Sequence, residues 1–403
     1  MDVKKIKGGV TAPTGFLAAG IHAGIKPAPL PDLALLTSIH PGIMAGVLTQ
    51  NRIVAPPVLL CRRQLKKHTG QAIIVNSGNA NAFTGSQGTS DAMEMRRLVS
   101  AALRLPVGSV FVGSTGVIGR PLPMPAIREA VPPLIRLLSR SGHKLAAQAI
   151  MTTDTRPKEV AVQAEVGGQL VTIGGMAKGS GMIHPDMATM LAYLTTDAAI
   201  TPRALQAALT RAVNETFNCI SIDGDTSTND TVLCLANGCA GNSTIQTGTP
   251  QWITFSSLLH EACLSLALQI CRDGEGCTKI VEIIVCGTRT NREAKTIAET
   301  IATSLLVKTA VFGEDPNWGR IVAAAGRAGV NFNPSKLSLQ FNATRVVENG
   351  QAVGGRAATE AQRIMRKKQY VMTLAVGNHP GHARLWTTDL SYDYVRINAS
   401  YTT

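Results

Sequence analysis

The sequence predicts a layered α+β fold. Short segments rich in β-branched residues and bounded by glycine turns are typical of strands, and other stretches carry apolar residues at helical spacing. Strand segments and helix segments occur in alternating groups along the chain, which favours layered α+β packing over a doubly wound parallel sheet. Because single cores stop growing near about 250 to 300 residues, we expect this chain of 403 residues to form two subdomains or one large layered domain.

The expected elements follow in chain order. Strands are predicted at residues 72–75, 109–112, 189–194, 230–235 and 279–285, and EVAVQAEVGGQLVTIG predicts a hairpin that turns at Gly167 and Gly168. The clearest helix has Thr201 as its N-cap candidate and Pro202 at its first position. Further helices are predicted at 257–271, 292–305 and 316–328, and closing strands at 370–376, 383–387 and 394–397. No linker composition marks a domain boundary.

The composition is that of a globular protein. Hydrophobic residues make up 45% and charged residues 16%, and no apolar run approaches the roughly 20 residues that span a bilayer, so no membrane is expected. The net charge of +13 raises nucleic acid or acidic small molecules as partners. The two densest basic runs, 62–68 and 363–368, are short, far apart and without aromatic residues, which favours a solvated surface over a nucleic-acid site.

The cysteines and the N-terminal segment indicate a cytoplasmic protein. Eight cysteines form no CxxC pair and most lie in apolar stretches, so we expect buried, reduced thiols. The start MDVKKIKGGVTAP has neither an apolar core nor an amphipathic Arg/Ser-rich pattern of a targeting segment. Cytoplasm is therefore the expected compartment.

The densest candidate for chemistry is the glycine-rich run 174–198. A phosphate-binding loop does not fit, because Lys178 precedes Gly179 and Ser180 and the run leads into a strand. A threonine at a new chain end would carry its own base in the α-amine, so Thr189 could attack the carbonyl of Ala188 and become a nucleophile. From the residues alone, an ordinary strand threonine remains the alternative.

Two other polar patterns do not predict a metal site. His379 and His382 in HPGH lack a third ligand at a recognisable spacing and are typical of a turn. Asp223 and Asp225 begin a run that resembles half of a calcium loop, but Cys234 stands where a glutamate is needed. We interpret that run as a polar structural segment near the site.

One long motif and many shorter ones carry a family resemblance. KGSGMIHPDMATML, at 178–191, resembles the processing motif of the glutamate N-acetyltransferase (ornithine acetyltransferase) family of arginine biosynthesis. The similarity extends over nearly the whole chain, through GVTAPTGF (9–16), NSGNANAFTG (76–85), GSTGVIG (113–119), MTTDT (151–155), NCISIDGDTSTND (218–230), RDGEG (272–276), FGEDPNWGRI (312–321) and YVRINASYTT (394–403).

This resemblance implies a self-processing enzyme with a layered αββα core like that of N-terminal-nucleophile enzymes. The cut would fall between Ala188 and Thr189, giving chains 1–188 and 189–403 that stay intertwined in one body, and two such heterodimers would associate. Asp186 stands where the family has asparagine, which leaves the efficiency of cleavage open. A carboxylate there could raise the pKa of the Thr189 amine.

The resemblance also implies the site and its reaction. An acetyl group passes from N2-acetylornithine to Thr189 and then to glutamate, with Thr115 and Gly116 as the oxyanion hole. The implied substrate-binding residues are Thr152, Lys178, Thr189, Glu275, Asn398 and Thr403. No metal or organic cofactor is implied, and the use of acetyl-CoA as a second donor stays open. The alternatives are a self-cleaving amidohydrolase or aminopeptidase, in which water takes the acyl group, and a basic nucleic-acid-binding protein.

Overall fold

The computed structural model describes residues 2–27, 29–184 and 190–400. Its strands are β1 (Lys4–Lys5), β2 (Phe16–Ile21), β3 (Leu33–Leu48), β4 (Thr69–Asn79), β5 (Val110–Val117), β6 (Lys158–Val166), β7 (Gln169–Lys178), β8 (Leu191–Thr196), β9 (Ile220–Ser221), β10 (Thr231–Ala236), β11 (Ile280–Gly287), β12 (Ser338–Phe341), β13 (Thr344–Glu348), β14 (Gln351–Ala352), β15 (Gln369–Ala375) and β16 (His379–Thr388). Its helices are α1 (Pro56–Leu65), α2 (Gly85–Leu103), α3 (Met124–Arg136), α4 (His143–Ala149), α5 (Pro202–Glu215), α6 (Pro250–Arg272), α7 (Asn291–Ala302), α8 (Leu305–Phe312), α9 (Trp318–Gly326), α10 (Arg356–Met365) and α11 (Tyr392–Ser400).

The larger sheet supplies two β layers that face each other. Its strands run in the order β1-β6-β7-β8-β10-β3-β4-β5, with β2 paired to β3, whose pairing with β4 shifts register between Thr37 and Gly42. One apolar cluster combines side chains of β2, β4 and β5 with side chains of β7, β8 and β10. Tyr193 belongs to this inner cluster, whereas its neighbours Ala192 and Leu194 point to the opposite face, as strand alternation requires.

Helices cover both outer faces of the β layers. On one side, Ile74 and Val112 pack with residues of α2 and α3. On the other side, residues of β6 to β8 and β10 pack with α5 and α6 in the largest of the apolar clusters. The chain thus forms four layers in the order α, β, β, α, and the predicted α+β fold is confirmed.

The chain also forms a second, smaller sheet. It has the order β14-β13-β12-β15-β11-β16-β9, and helices α7 to α10 share its apolar cluster. The two-residue strand β9 attaches this sheet to the segment that follows α5, because Ile220 pairs with Trp386. Residues near the end of the chain are thereby held close to the four-layered body.

Helix α6 is, among the described residues, the one helix long and apolar enough to cross a membrane by length and composition. It lies in the core of the protein, however, packed against α5, β6 and β7. Leu258, Leu266 and Ile270 on its inner side are fully buried. Its apolar composition is explained by this packing.

The predicted strand at 394–397 is wrong, because the segment is helical in α11. Ser391 begins the helix, since its Oγ accepts a hydrogen bond from the backbone N–H of Tyr394 at 3.2 Å. The least exposed positions, Ser391, Tyr394 and Ile397, recur every three residues, which is a helical and not a strand spacing. The β-branched residues of this short segment concealed that period.

Three further expectations need correction. The helix predicted from 257 begins at Pro250, where Thr249 Oγ1 accepts from Trp252 N at 3.2 Å. The helix predicted over 292–305 ends at Ala302, and a separate helix, α8, begins at Leu305. None of the eight cysteines forms a disulfide, but only four are buried; the other four, Cys219, Cys239, Cys277 and Cys286, are partly exposed.

Candidate functional site

The end of β5 places Thr115 and Gly116 where two strands approach closely. Gly116 has a φ of 131°, and a Cβ on it would lie 2.3 Å from the carbonyl carbon of Gly78 in β4. No other residue fits this position without a shift of the backbone. Thr115 is buried beside it, with 5% of its surface exposed.

Buried amide side chains fix this end of β5. Asn229 Nδ2 donates to the carbonyl oxygens of Ala80 at 2.7 Å and Ser114 at 2.9 Å. The hydroxyl of Ser114 donates to Asn76 Oδ1 at 2.6 Å. The motifs NSGNANAFTG and NCISIDGDTSTND therefore position the strand that carries Thr115.

The next residue, Asp230, connects the same region to the start of β8. Asp230 Oδ1 accepts from the backbone N–H of Met190 at 3.1 Å, and Thr231 N donates to the carbonyl of Met190 at 3.2 Å. Burial raises the pKa of Asp230 well above its usual range. Asn229 binds Ser114 and Asp230 binds Met190. Together they hold the neighbour of Thr115 close to the first described residue after the predicted cut.

Several of the predicted site residues lie outside the described residues. They are Ala188 and Thr189, together with Asp186 and Thr403. The structure describes the remaining six: Thr115, Gly116, Thr152, Lys178, Glu275 and Asn398.

A cavity of about 220 Å³ brings together Thr152, Lys178, Glu275 and Asn398, four of the predicted substrate-binding residues. They come from the segment after α4, the end of β7, the turn after α6, and α11. The cavity is completed by Thr153, Gly181, Met182, Asp223, Asp225 and Tyr394. The polar run at 223–225 is therefore part of the site's wall.

Lys178 is a buried cation without a side-chain partner among the described residues. It ends β7, opposite Leu191 of β8, and only 3% of its surface is exposed. Its side chain forms no hydrogen bond or ion pair with any residue that the structure describes. Burial lowers its pKa, against the opposing attraction of Asp154. A buried and unpaired ammonium group in a cavity is suited to bind an anion.

A buried network of side-chain ion pairs adjoins the cavity. Lys158 Nζ lies 2.6 Å from a carboxylate oxygen of Asp154 and 2.6 Å from one of Asp273. Burial opposes the charge of Asp154, but Lys178 and Lys158 outweigh burial and lower its pKa to about 2. Asp154 also accepts from the backbone N–H groups of Thr152 and Gly179, at 2.9 and 2.8 Å. It thereby fixes the backbone next to Lys178.

Carboxylates line the cavity together with Lys178. Glu275 packs on Gly181, where a Cβ would lie 2.4 Å from Glu275 Oε2, and the same oxygen accepts from Asn398 Nδ2 at 2.8 Å. Burial raises the pKa of Asp223, whose Oδ2 accepts from the hydroxyl of Tyr394 at 3.3 Å. The cavity can therefore bind a ligand that carries both a carboxylate and a cationic group.

The sequence reasoning missed Asp154, Lys158 and Asp273. Asp154 and Asp273 stand in MTTDT and RDGEG, motifs that were used for Thr152 and Glu275 only. The sequence held no comparable signal for Lys158, which begins the strand KEVAVQAEV beside further charged residues. Within the described part of the chain, no group of three or more histidine, cysteine, aspartate or glutamate residues is arranged to hold a metal ion.

Comparisons with known proteins identify the relatives of this chain. The model of the ArgJ family matches residues 17–403. The arginine biosynthesis bifunctional protein ArgJ of Thermosynechococcus vestitus is 46% identical, and that of Symbiobacterium thermophilum 48% identical, each over 99% of both chains. The crystal structure of the ArgJ protein of Bacillus halodurans is 41% identical with a TM-score of 0.50, and the match covers 98% of that chain but 52% of this one.

Proposed function

Because the chain belongs to the ArgJ family, we propose that it transfers the acetyl group of N2-acetylornithine to glutamate, giving ornithine and N-acetylglutamate. The observation that carries this proposal is the cavity that joins Thr152, Lys178, Glu275 and Asn398. We further propose that acetyl-CoA is a second acetyl donor to glutamate. The relatives' shared description as bifunctional proteins of arginine biosynthesis supports this second activity.

The active form arises by self-cleavage between Ala188 and Thr189. The hydroxyl of Thr189 attacks the carbonyl of Ala188, the acyl group moves from nitrogen to oxygen, and water hydrolyses the ester. The match to the Bacillus halodurans chain supports this step. That chain is matched almost completely but covers only 52% of this sequence, and residues 189–403 make up about the same share. Because β7 pairs with β8 along its last six residues, strands from both products would remain in one sheet.

Thr189 then carries the acetyl group as an ester. Its free α-amine is the general base, since an amine of this kind has a pKa of about 8. Thr115 and Gly116 donate hydrogen bonds to the oxyanion of the tetrahedral intermediate. The close approach of Gly116 to Gly78 and the bond from Asn229 to Ser114 hold these donors in place before the substrate arrives.

Substrate recognition uses the charges of the cavity. Lys178 binds the α-carboxylate, and Glu275 binds an amino group of the substrate, oriented by Asn398. Thr152 and the C-terminal Thr403 complete the contacts. The acetyl ester preserves the acyl bond until glutamate enters, which requires that water be kept from the cavity.

The remaining assignments complete the proposal. Two heterodimers associate, each of chains 1–188 and 189–403, and the enzyme works in the cytoplasm. No metal or organic cofactor takes part, because acyl transfer through an internal ester needs neither. Nucleic acid and membranes are not partners.

Product analysis with and without glutamate tests the reaction. With purified protein and N2-acetylornithine, ornithine and N-acetylglutamate should form in equal amounts when glutamate is present, with ping-pong kinetics. Without glutamate, ornithine release should stop after about one equivalent per site. Steady release of ornithine and acetate without glutamate would instead identify a hydrolase. Thr189→Ala should abolish both products.

A further inference from the structure

Four positively charged side chains line a second cavity, of about 510 Å³. Arg156, Arg272, Lys279 and Lys368 line it, with Cys277, Thr278, Ile280 and Gln369. It adjoins the segment whose Glu275 lines the substrate cavity. Its volume falls in the range of roughly 300 to 1,000 Å³ that is usual for small-molecule sites.

The carboxylates near this cavity do not neutralise its cations. Asp273 stands 3.5 Å from Arg156 but is shared with the buried Lys158 at 2.6 Å. The side chains of Arg272 and Lys368 form no ion pair with any residue of the described ranges. Two of the four cations are therefore unpaired, and a third shares its counterion.

Glu314, the carboxylate partner of Lys279, is shared as well. It lies 3.0 Å from Lys279 and 3.7 Å from Arg366. The charge around the cavity is still positive, although three carboxylates lie beside it: Asp273, Glu314 and Asp389, whose Oδ1 accepts from the backbone N–H groups of Thr278 at 2.9 Å and Lys279 at 3.1 Å.

The fold places two of these cations on neighbouring strands. Lys279 and Lys368 directly precede Ile280 and Gln369, which pair across the parallel strands β11 and β15, and Ile280 N donates to the carbonyl of Lys368 at 2.9 Å. Like charges at opposed positions of a sheet are destabilising, so an anion bound near both lysines would relieve their repulsion. Lys279 is also more than nine-tenths buried. The basic run at 363–368, expected to be solvated surface, thus contributes Lys368 to a cavity.

We propose that this cavity binds a small molecule with a diphosphate group. Arginine forks and lysine ammonium groups bind phosphate oxygens well, and at least two negative charges are needed to match the unpaired cations. Among the residues that the structure describes, no aromatic side chain lines the cavity for base stacking, which disfavours a nucleic-acid strand. The diphosphate could belong to acetyl-CoA, which rests on the proposed function, or to a free nucleoside diphosphate, which does not.

Calorimetric titration of the purified, full protein with inorganic pyrophosphate at low salt tests the site. The variant Arg272→Gln/Lys368→Gln removes the two unpaired, exposed cations. The control Arg345→Gln/Arg363→Gln removes the same charge from exposed residues that pair with Glu348 and Glu360 away from the cavity. Pyrophosphate should bind to the wild type and the control alike, and at least about tenfold more weakly to the first variant.

Competition separates the possible sources of the diphosphate. Displacement of pyrophosphate by coenzyme A, but not by ADP, assigns the cavity to the coenzyme, and displacement by ADP assigns it to a free nucleotide. Absence of pyrophosphate binding, equal loss in both variants, or displacement only by a single-stranded oligonucleotide would overturn the proposal. The transfer from N2-acetylornithine to glutamate, measured without acetyl-CoA, should be unchanged in the first variant, so failure of this site does not touch the proposed function.

Discussion

Gly116 lacks space for even one methyl group, because a Cβ would meet the backbone of Gly78 at 2.3 Å. Gly116→Ala should shift the proposed oxyanion donors and lower turnover of N2-acetylornithine by about 100- to 1000-fold. Gly119→Ala is the matched control, since Gly119 also has a positive φ, of 81°, but open space around its Cβ position. Steady-state rates of both variants check this; a Gly116→Ala enzyme with wild-type turnover would refute the role.

Lys178 should bind its anionic partner only while it is protonated. Its pKa is lowered by burial, so the charge is present at low pH and is lost as pH rises through a value below that of an exposed lysine. The KM for N2-acetylornithine should therefore rise with pH. Lys178→Gln should raise KM by roughly 10- to 100-fold, because a hydrogen bond to a charged group contributes about 1.5 to 3 kcal/mol.

The pH profile of KM distinguishes this role from a structural one. Lys178→Gln should abolish the alkaline rise in KM, whereas Lys5→Gln in the exposed strand β1 should leave both KM and its profile unchanged. An unaltered alkaline rise in the Lys178→Gln enzyme would exclude Lys178 as the titrating group.

Single residues of the site could be predicted only from the motifs that contain them. Spacing alone does not place Thr152 and Asn398 in one cavity, because this depends on where α4 and α11 lie in three dimensions. The family resemblance supplied those pairs, whereas the ion pairs of Lys158 required the fold, since its partners are four and 115 residues away. The sequence thus predicts the chemistry of short motifs, but not which distant segments of the chain meet in the fold.

At the scale of elements, α11 forms one wall of the cavity through Tyr394 and Asn398. Asn398→Ala should remove the hydrogen bond to Glu275 and raise KM by about tenfold, since one hydrogen bond to a charged group is lost. Ser400 lies in the same helix but does not line the cavity, so Ser400→Ala is the control. Removal of residues 401–403, which include Thr403, should also impair turnover. Wild-type rates in both the Asn398→Ala enzyme and the shortened enzyme would exclude the C-terminal segment from the site.

Elements with strong local signals were predicted well. The hairpin at Gly167 and Gly168 forms β6 and β7, and α5 begins at Pro202 with Thr201 accepting from Ala204 N. The terminal helix α11 was predicted as a strand because its β-branched residues concealed the three-residue spacing of its least exposed positions. Its fold follows from the cap at Ser391 and from contacts with distant residues.

At the scale of the whole molecule, the ion network of Asp154 joins the segment before β6 to the end of α6. The folded-state pKa of Asp154, about 2, lies below its unfolded value, so its stabilising contribution is present above about pH 4 and is lost as pH falls toward 2. Asp154→Asn should lower the free energy of unfolding at pH 7 by about 3 to 5 kcal/mol, because the buried Lys158 loses one of its two carboxylate partners.

Denaturant unfolding at several pH values checks this expectation. The difference between wild type and Asp154→Asn should shrink as pH falls below about 4. Asp393→Asn, which removes an exposed partner of Arg396, should change stability little at any pH. A difference at pH 7 no larger than that of the control would contradict the structural role of Asp154.

The proposed reaction requires that the chain cut itself before Thr189 and that this residue then carry the acetyl group. Intact mass spectrometry before and after addition of N2-acetylornithine tests it directly. The spectra should show two chains that meet at Ala188 and Thr189, and an added acetyl mass on the second chain alone that disappears when glutamate is supplied. A single uncut chain that never gains the acetyl mass would contradict it.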